Sequence, residues 1–265
     1  MRPLPRLGEE RQQPRPGEEG EPLVGVASST ANPGFGDFAH RLIDIVVSVA
    51  IVTVFLPIVA VAAVAIKLDS SGSVFFRCRR IGFRGRELQM LKFRKMYTGA
   101  AGPAVTLDGD ERFTAVGRVL AKTKIDELPQ LWNVLKGEMT LVGPRPEDPA
   151  FVGLRSADYD TILTVKPGIT GLCQLAFAKE GEILDHEDSA RDYVERLLPQ
   201  KTALDILYVR HRSLLMDLKI LAWTAVAVVF RRDVAVHRGS GNLSLRRRPL
   251  EDTVPMPAAG MSLET

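Results

Sequence analysis

"IVVSVAIVTVFLPIVAVAAVAI" (Ile45–Ile66) runs for 22 residues without a charge. At about 1.5 Å per residue, a helix of that length reaches the roughly 30 Å hydrocarbon thickness of a bilayer. The run starts far from Met1 and lacks the small-residue cleavage pattern of a secretory signal, so it belongs in a membrane. Pro57 sits inside it, removes one backbone donor and clashes with the preceding turn. The pieces on either side, Ile45–Leu56 and Ile58–Ile66, are each too short to cross alone. Arg41 lies before the run and Lys67 after it, followed by a far more basic stretch, which favours the cytoplasm for the C-terminal side. A re-entrant helix–break–helix puts both flanks there; a kinked span puts the N-terminal flank outside. The pattern leaves both open.

Outward from the run the composition changes. Residues 1–36 are rich in Pro, Gly, Glu and Arg, and residues 233–265 are similarly poor in large apolar groups. Neither stretch buries enough surface to offset chain entropy, and both are expected to be disordered tails. The formal net charge of +3 does not suggest a globally basic nucleic-acid binder. Charge is concentrated locally instead: Arg77, Arg79, Arg80, Arg84, Arg86, Lys92, Arg94 and Lys95 are opposed only by Glu87. Such a cluster suits phosphates. Without interleaved stacking aromatics in number, nucleic acid is not an expected partner. Cys78 and Cys173 form neither a metal-ligand spacing nor a disulfide framework, and the four histidines are scattered, so a zinc centre is not indicated.

Between the tails, residues 69–232 read as one small α+β domain, mainly helical. "SVFFRCRRIG" and "ELQMLKFRKM" read as strands. "RFTAVGRVLAKT" reads as a short helix and "VKPGITGL" as a Pro-Gly turn. "SARDYVERLL", "TALDILYVRHR" and "SLLMDLKILAWTAVAVVFRR" read as helices, the last apolar on most sides and suited to a membrane interface.

"KIDELPQLWNVLKGEMTLVGPRPED" (Lys124–Asp148) carries the chemistry. Leu128, Leu131, Trp132 and Leu135 recur at helical spacing, and Gly137 supplies a C-terminal stop. Pro129 is tolerated only in a first turn, which puts the helix start near Asp126 as N-cap. Asp126 and Glu127 then sit at the positive helix end, where their ionised forms are favoured. A helix cap explains the two acids taken alone. Their surroundings point further, because Pro144-Arg145-Pro146 holds a guanidinium on a stiff turn, suited to gripping phosphate. Two carboxylates, several cations and a membrane anchor suit a metal-assisted reaction on a diphosphate.

The ordered blocks "RLIDI", "GSVFFRCRRIG", "LKFRKM", "DERFTAVGRVL", "IDELPQLWNVLKGEMTLVGPRPE", "KPGITGLCQ" and "LDILYVRHRSLLMDLKIL" resemble the bacterial sugar transferase family, the monotopic polyprenyl-phosphate phosphoglycosyl transferases. The resemblance covers about Phe38 to Phe230. It implies transfer of a sugar 1-phosphate from a UDP-sugar to undecaprenyl phosphate, with release of UMP, at the cytoplasmic face of the bacterial inner membrane. That step opens exopolysaccharide, capsule or lipopolysaccharide synthesis, with downstream glycosyltransferases as expected partners. It implies Asp126 as the nucleophile, forming a phosphosugar-aspartyl intermediate, and Glu127 as a ligand of Mg²⁺. Lys92, Arg94 and Arg145 match phosphate- and nucleotide-contacting positions. Residues 37–68 match a re-entrant helix broken near Pro57. The chain departs from the family at Ser71 and Ser73, where prolines are usual, and at Ala121, where a basic residue is common. Lys122 is the candidate replacement for the latter.

Overall fold

The computed structural model describes residues 35–246, apart from 103–105, 107–108 and 185–188. Residues 1–34 and 247–265, most of the two expected tails, lie outside the described residues. Helix α1 (Phe35–Asp69) is followed by strands β1 (Phe75–Ile81) and β2 (Glu87–Phe93), then helices α2 (Ala115–Thr123) and α3 (Gln130–Lys136). Strand β3 (Thr140–Val142), helices α4 (Pro149–Leu154) and α5 (Ser156–Ile162), strand β4 (Gly168–Thr170) and helices α6 (Leu172–Ala176) and α7 (Glu180–Ile183) come next. Helix α8 (Ser189–Asp192), a π-turn (Tyr193–Leu197), helices α9 (Leu198–His211) and α10 (Leu214–Val229), and strands β5 (Val234–Val236) and β6 (Leu243–Leu245) complete the order. Mixed helix and sheet, mostly helical, is the expected class.

Helix α1 is long and apolar enough to cross a membrane. It stays helical through Pro57, so the expected break does not occur as a gap in the helix. A proline removes one hydrogen bond and crowds the preceding turn, a cost a helix can carry when both its flanks are held. Here both are held by the same domain. Near the N-terminal end, Arg41 donates to Val134 O (2.6 Å) and Leu135 O (2.7 Å). Buried Asp44 accepts from Thr140 Oγ1 (2.9 and 2.8 Å) and from the Leu141 N–H (2.9 Å). At the other end Ala62 and Ile66 pack with Phe93 and Leu120, and Asp69 accepts from the Val116 N–H at 3.1 Å. Between these anchors, Thr53 to Ile58 are all exposed. The "RLIDI" block is thus a clasp between α1 and the segments α3 and β3.

Strands β1 and β2 form an antiparallel hairpin with Phe76 opposite Lys92. The stretch expected to be only a Pro-Gly turn contains β4, which pairs in parallel with β3. Gly143 and Gly168 make this pairing work, because a Cβ on Gly168 would lie 2.1 Å from Gly143 N. The main core joins β2, α3, β3, α6, α9 and α10. Helix α10 buries only Asp217 and Ile220, leaving Leu214, Leu215, Leu218, Val228, Val229 and Phe230 exposed. Part of the stretch expected to be a C-terminal tail is ordered among the described residues. β5 and β6 pair as a hairpin, and Val234 is buried in the main core. The apolar residues of this short segment gain more by packing on α6 than by solvation.

Candidate active site

Three backbone devices bring the candidate residues together. The first is the end of α2. Lys124 adopts the left-handed conformation (φ 60°), which costs a non-glycine residue about 1 kcal/mol. It reverses the chain into a 3-10 turn, Ile125–Glu127. Asp126 therefore lies inside this turn, and α3 begins only at Gln130, with Pro129 at its N-cap. The expected N-cap role of Asp126 does not hold, because the tighter turn inserts extra residues before the helix. The expected apolar face of α3 is also shifted. Gln130, Leu131, Asn133 and Val134 are buried, whereas Trp132 is 56% exposed.

The second device is Asn133. Its Oδ1 accepts from the Leu91 N–H (3.0 Å) and its Nδ2 donates to Gln89 O (3.0 Å). The side chain pairs with the free edge of β2 as a neighbouring strand would, fixing Lys92 opposite the 3-10 turn. The third is Gly117 in the first turn of α2. A Cβ there would lie 1.9 Å from Lys95 O, so only glycine lets α2 rest on the Lys95 main chain.

The result is a carboxylate pair ringed by cations. Lys92 Nζ donates to Glu127 Oε1 at 3.1 Å, and Arg145 lies 3.6 Å from the same oxygen. Lys95 Nζ lies 3.6 Å from Asp126 Oδ2. Asp126 is 3% exposed, and its Oδ1 is buried without a hydrogen-bond partner among the described residues. Burial, aided by the Glu127 charge, raises the Asp126 carboxyl above the usual carboxylate range. Glu127 goes the other way. Burial alone raises it, but Lys92 and Arg145 outweigh that and hold it well below its ordinary value. The helix N-terminus predicts a lowered value for both acids, and only Glu127 follows it. Two neighbouring acids pushed apart in this way take different chemical roles.

Lys92, Arg145, Asp126 and Glu127 meet as expected. Arg94 does not join them: its guanidinium donates to Ser70 O (2.8 Å), Thr98 Oγ1 (2.9 Å) and Ser71 O. It secures the chain just beyond α1. Lys122 is exposed near the end of α2 and forms no ion pair with either acid. Lys95 is the site residue that sequence reasoning left unassigned. Alternation along a strand aligns Lys92 with Arg94, but β2 ends at Phe93 and the period of two ends with it.

No group of three or more potential metal ligands occurs among the described residues. Mg²⁺ commonly takes one or two carboxylates and completes its shell with water and substrate phosphate. The unpartnered Asp126 oxygen beside Glu127 fits that mode of binding.

The bacterial sugar transferase family model matches residues 35–231. The chain belongs to the bacterial sugar transferase family. Its match begins at the first residue of α1, so the apolar helix is part of the family's common unit. A UDP-glucose:undecaprenyl-phosphate glucose-1-phosphate transferase of Caulobacter vibrioides is 39% identical over 198 residues, covering 73% of this chain and 70% of that one. An undecaprenyl-phosphate glucose phosphotransferase of Komagataeibacter xylinus is 37% identical, over 73% of this chain but 36% of its own length. The exopolysaccharide production protein PSS of Rhizobium leguminosarum bv. phaseoli is 34% identical over 72% of this chain and 95% of its own. Against the longer relatives, this sugar transferase spans well under half the length.

Proposed function

We propose that this sugar transferase moves a sugar 1-phosphate from a UDP-sugar to undecaprenyl phosphate in two steps. An Asp126 carboxylate oxygen attacks the sugar-linked phosphorus, the phosphoanhydride bond breaks, and UMP leaves with the bridging oxygen. The product is an acyl phosphate joining Asp126 to the sugar 1-phosphate. A phosphate oxygen of undecaprenyl phosphate then attacks the same phosphorus, giving the diphosphate-linked sugar and freeing Asp126. The observation that carries this reading is the buried Asp126 oxygen, unpartnered among the described residues, in a site ringed by Lys92, Lys95 and Arg145. Lys92 and Arg145 already hold Glu127, and burial lowers the Lys95 ammonium below its ordinary pKa. Each gains from an incoming diphosphate. The relatives' names supply the substrate classes. Mg²⁺, held by Glu127 and the diphosphate, would neutralise developing phosphate charge and favour ionised Asp126.

Incubation of the purified protein with UDP-sugar alone tests the two-step course. Intact-protein mass spectrometry is expected to show a species heavier by one sugar 1-phosphate, and UMP should appear in solution. UMP formed only when polyprenyl phosphate is also present, with no adduct, rules the intermediate out.

The reading includes re-entry of α1 from the cytoplasmic face of the inner membrane. Both ends of the helix bond to one domain, and the stretch Thr53 to Ile58 around Pro57 is exposed without a break. A span would carry one of those ends to the other side of the bilayer. A cysteine introduced at Phe35 is therefore expected to resist a membrane-impermeant reagent applied to the periplasm. Efficient labelling there means that α1 spans.

A further inference from the structure

The hairpin that brings Lys92 to the site carries a second residue with no part in the chemistry above. Phe76 stands directly opposite Lys92. Opposed residues of an antiparallel pair point to the same face, with Cβ atoms about 5 Å apart. Two positions along, Cys78 and Met90 turn into the main core, where Met90 is buried and Cys78 packs against it. Phe76 and Lys92 lie where this face leaves the core. Lys92 turns to Glu127, while Phe76 is 53% exposed. Its neighbour Phe75 has a structural use, since that ring stacks on Phe93 at 5.5 Å. No core cluster or ring pair among the described residues includes Phe76.

An exposed phenylalanine is ordinary by itself, but the place of this one is not. Phe93, paired with Phe75 one step away, packs on Ala62 and Ile66 in the last turns of α1. Successive strand positions are about 3.3 Å apart, so Phe76 lies one step from that seam. At the same end of α1, Val61, Val64 and Leu68 are exposed. Phe76 is therefore close both to the apolar end of α1 and to a cation facing the carboxylate pair. The two substrates make opposite demands on such a place. The acceptor must bring its phosphate beside Lys92 while its hydrocarbon chain stays out of water. A nucleotide base needs polar partners at its edge as well as a ring to stack on. Val74 and Phe75, next to Phe76 on the side of α1, supply no side-chain donor or acceptor.

We propose that Phe76 is a binding residue for the acceptor lipid, its ring covering the first isoprene units while Lys92 faces the phosphate. The proposal rests on the reading of undecaprenyl phosphate as the acceptor. Apolar contact is all that the chain requires of this position, so leucine serves there nearly as well as phenylalanine. A base stacked on the ring would instead require an aromatic side chain.

The test uses the purified full chain in detergent micelles, with undecaprenyl phosphate and UDP-sugar varied in turn. Phe76→Ala is expected to lower kcat/KM for undecaprenyl phosphate about 10-fold, the scale of losing one aromatic side chain's apolar contact. For UDP-sugar, kcat/KM should stay within about 2-fold of wild type, because only binding of the acceptor has been weakened. Formation of the phosphosugar adduct from UDP-sugar alone should be equally unaffected, which also shows that the variant is folded. Phe76→Leu should keep kcat/KM for the acceptor within about 3-fold of wild type. A loss confined to UDP-sugar would put Phe76 on the base and overturns the proposal. Equal losses on both substrates overturn it too, as does an unchanged value for the acceptor in Phe76→Ala. So does a Phe76→Leu variant as poor as Phe76→Ala. Failure of the acceptor reading shows in the wild type, as no turnover of undecaprenyl phosphate, whereas failure of the proposal shows only in the variants. If the wild type turns over but forms no adduct, the two-step course fails alone, and the two kcat/KM values still decide the role of Phe76.

Discussion

Asp126→Asn is expected to lower turnover by about four to six orders of magnitude, the range seen when a covalent nucleophile is removed from an otherwise intact site. No phosphosugar adduct should accumulate on this variant. The amide keeps the shape of the carboxyl but presents no attacking oxygen lone pair of comparable basicity. Stability should not fall with activity. Burial raises the Asp126 carboxyl, so the folded state binds its proton more tightly than the unfolded chain does. Its stabilising contribution is therefore complete below the unfolded value and is lost as pH rises through the folded one. At neutral pH the acid is a net cost to the fold, and asparagine removes that cost. Lys95 is not stranded by the change, because its side chain keeps some contact with solvent. The Tm at neutral pH should be equal to or above that of wild type. A variant that turns over at near wild-type rate places the nucleophile elsewhere.

Arg145→Lys should lower kcat/KM for UDP-sugar by about 100- to 1,000-fold, comparable to losing one preorganised donor to a transition-state oxygen. The charge remains, but the planar fork that can hold two phosphate oxygens is lost. The loss should be large because this arginine has little freedom to compensate. Two prolines flank it, and a Cβ on neighbouring Gly143 would lie 2.6 Å from Lys166 O. The turn cannot shift to bring a shorter head group into place. Circular dichroism and Tm should match wild type. Activity equal to wild type would reduce Arg145 to a structural partner of Glu127.

Much of this site was legible because its residues lie in contiguous blocks. Asp126, Glu127 and Arg145 fall within one stretch of the chain, and Lys92 lies on a strand whose alternation is plain. The two-stranded hairpin, α2 and the Gly137 stop of α3 followed from local signals in the same way. What escaped depends on pairing across the chain. Asn133 imitates a strand for β2, and no local pattern announces a side chain in that role. Arg94 shares the period of Lys92 but is claimed by the carbonyls beyond α1. The left-handed Lys124 separates the acids from α3, and a non-glycine residue gives little warning of that conformation. β4 was hidden because three residues pairing in parallel with a distant segment are too few to show a period. The hairpin after residue 233 gains its order from the surface it covers rather than from its own composition.

The double clasp on α1 also bears on how this enzyme can be handled and divided. The long apolar helix supplies Ala62 and Ile66 to the same small cluster as Phe93, the neighbour of Lys92. Near its other end Asp44 carries hydrogen bonds of β3, one strand residue of which leads directly into the arginine turn. A truncation at the end of the apolar run would therefore cut through the interior of the domain that holds the site, not around it. A detergent that coats the exposed apolar face of α1 likewise changes the surroundings of a helix that supports the strand bearing Lys92. The boundary between anchor and enzyme, sharp in hydropathy, has no counterpart in the packing.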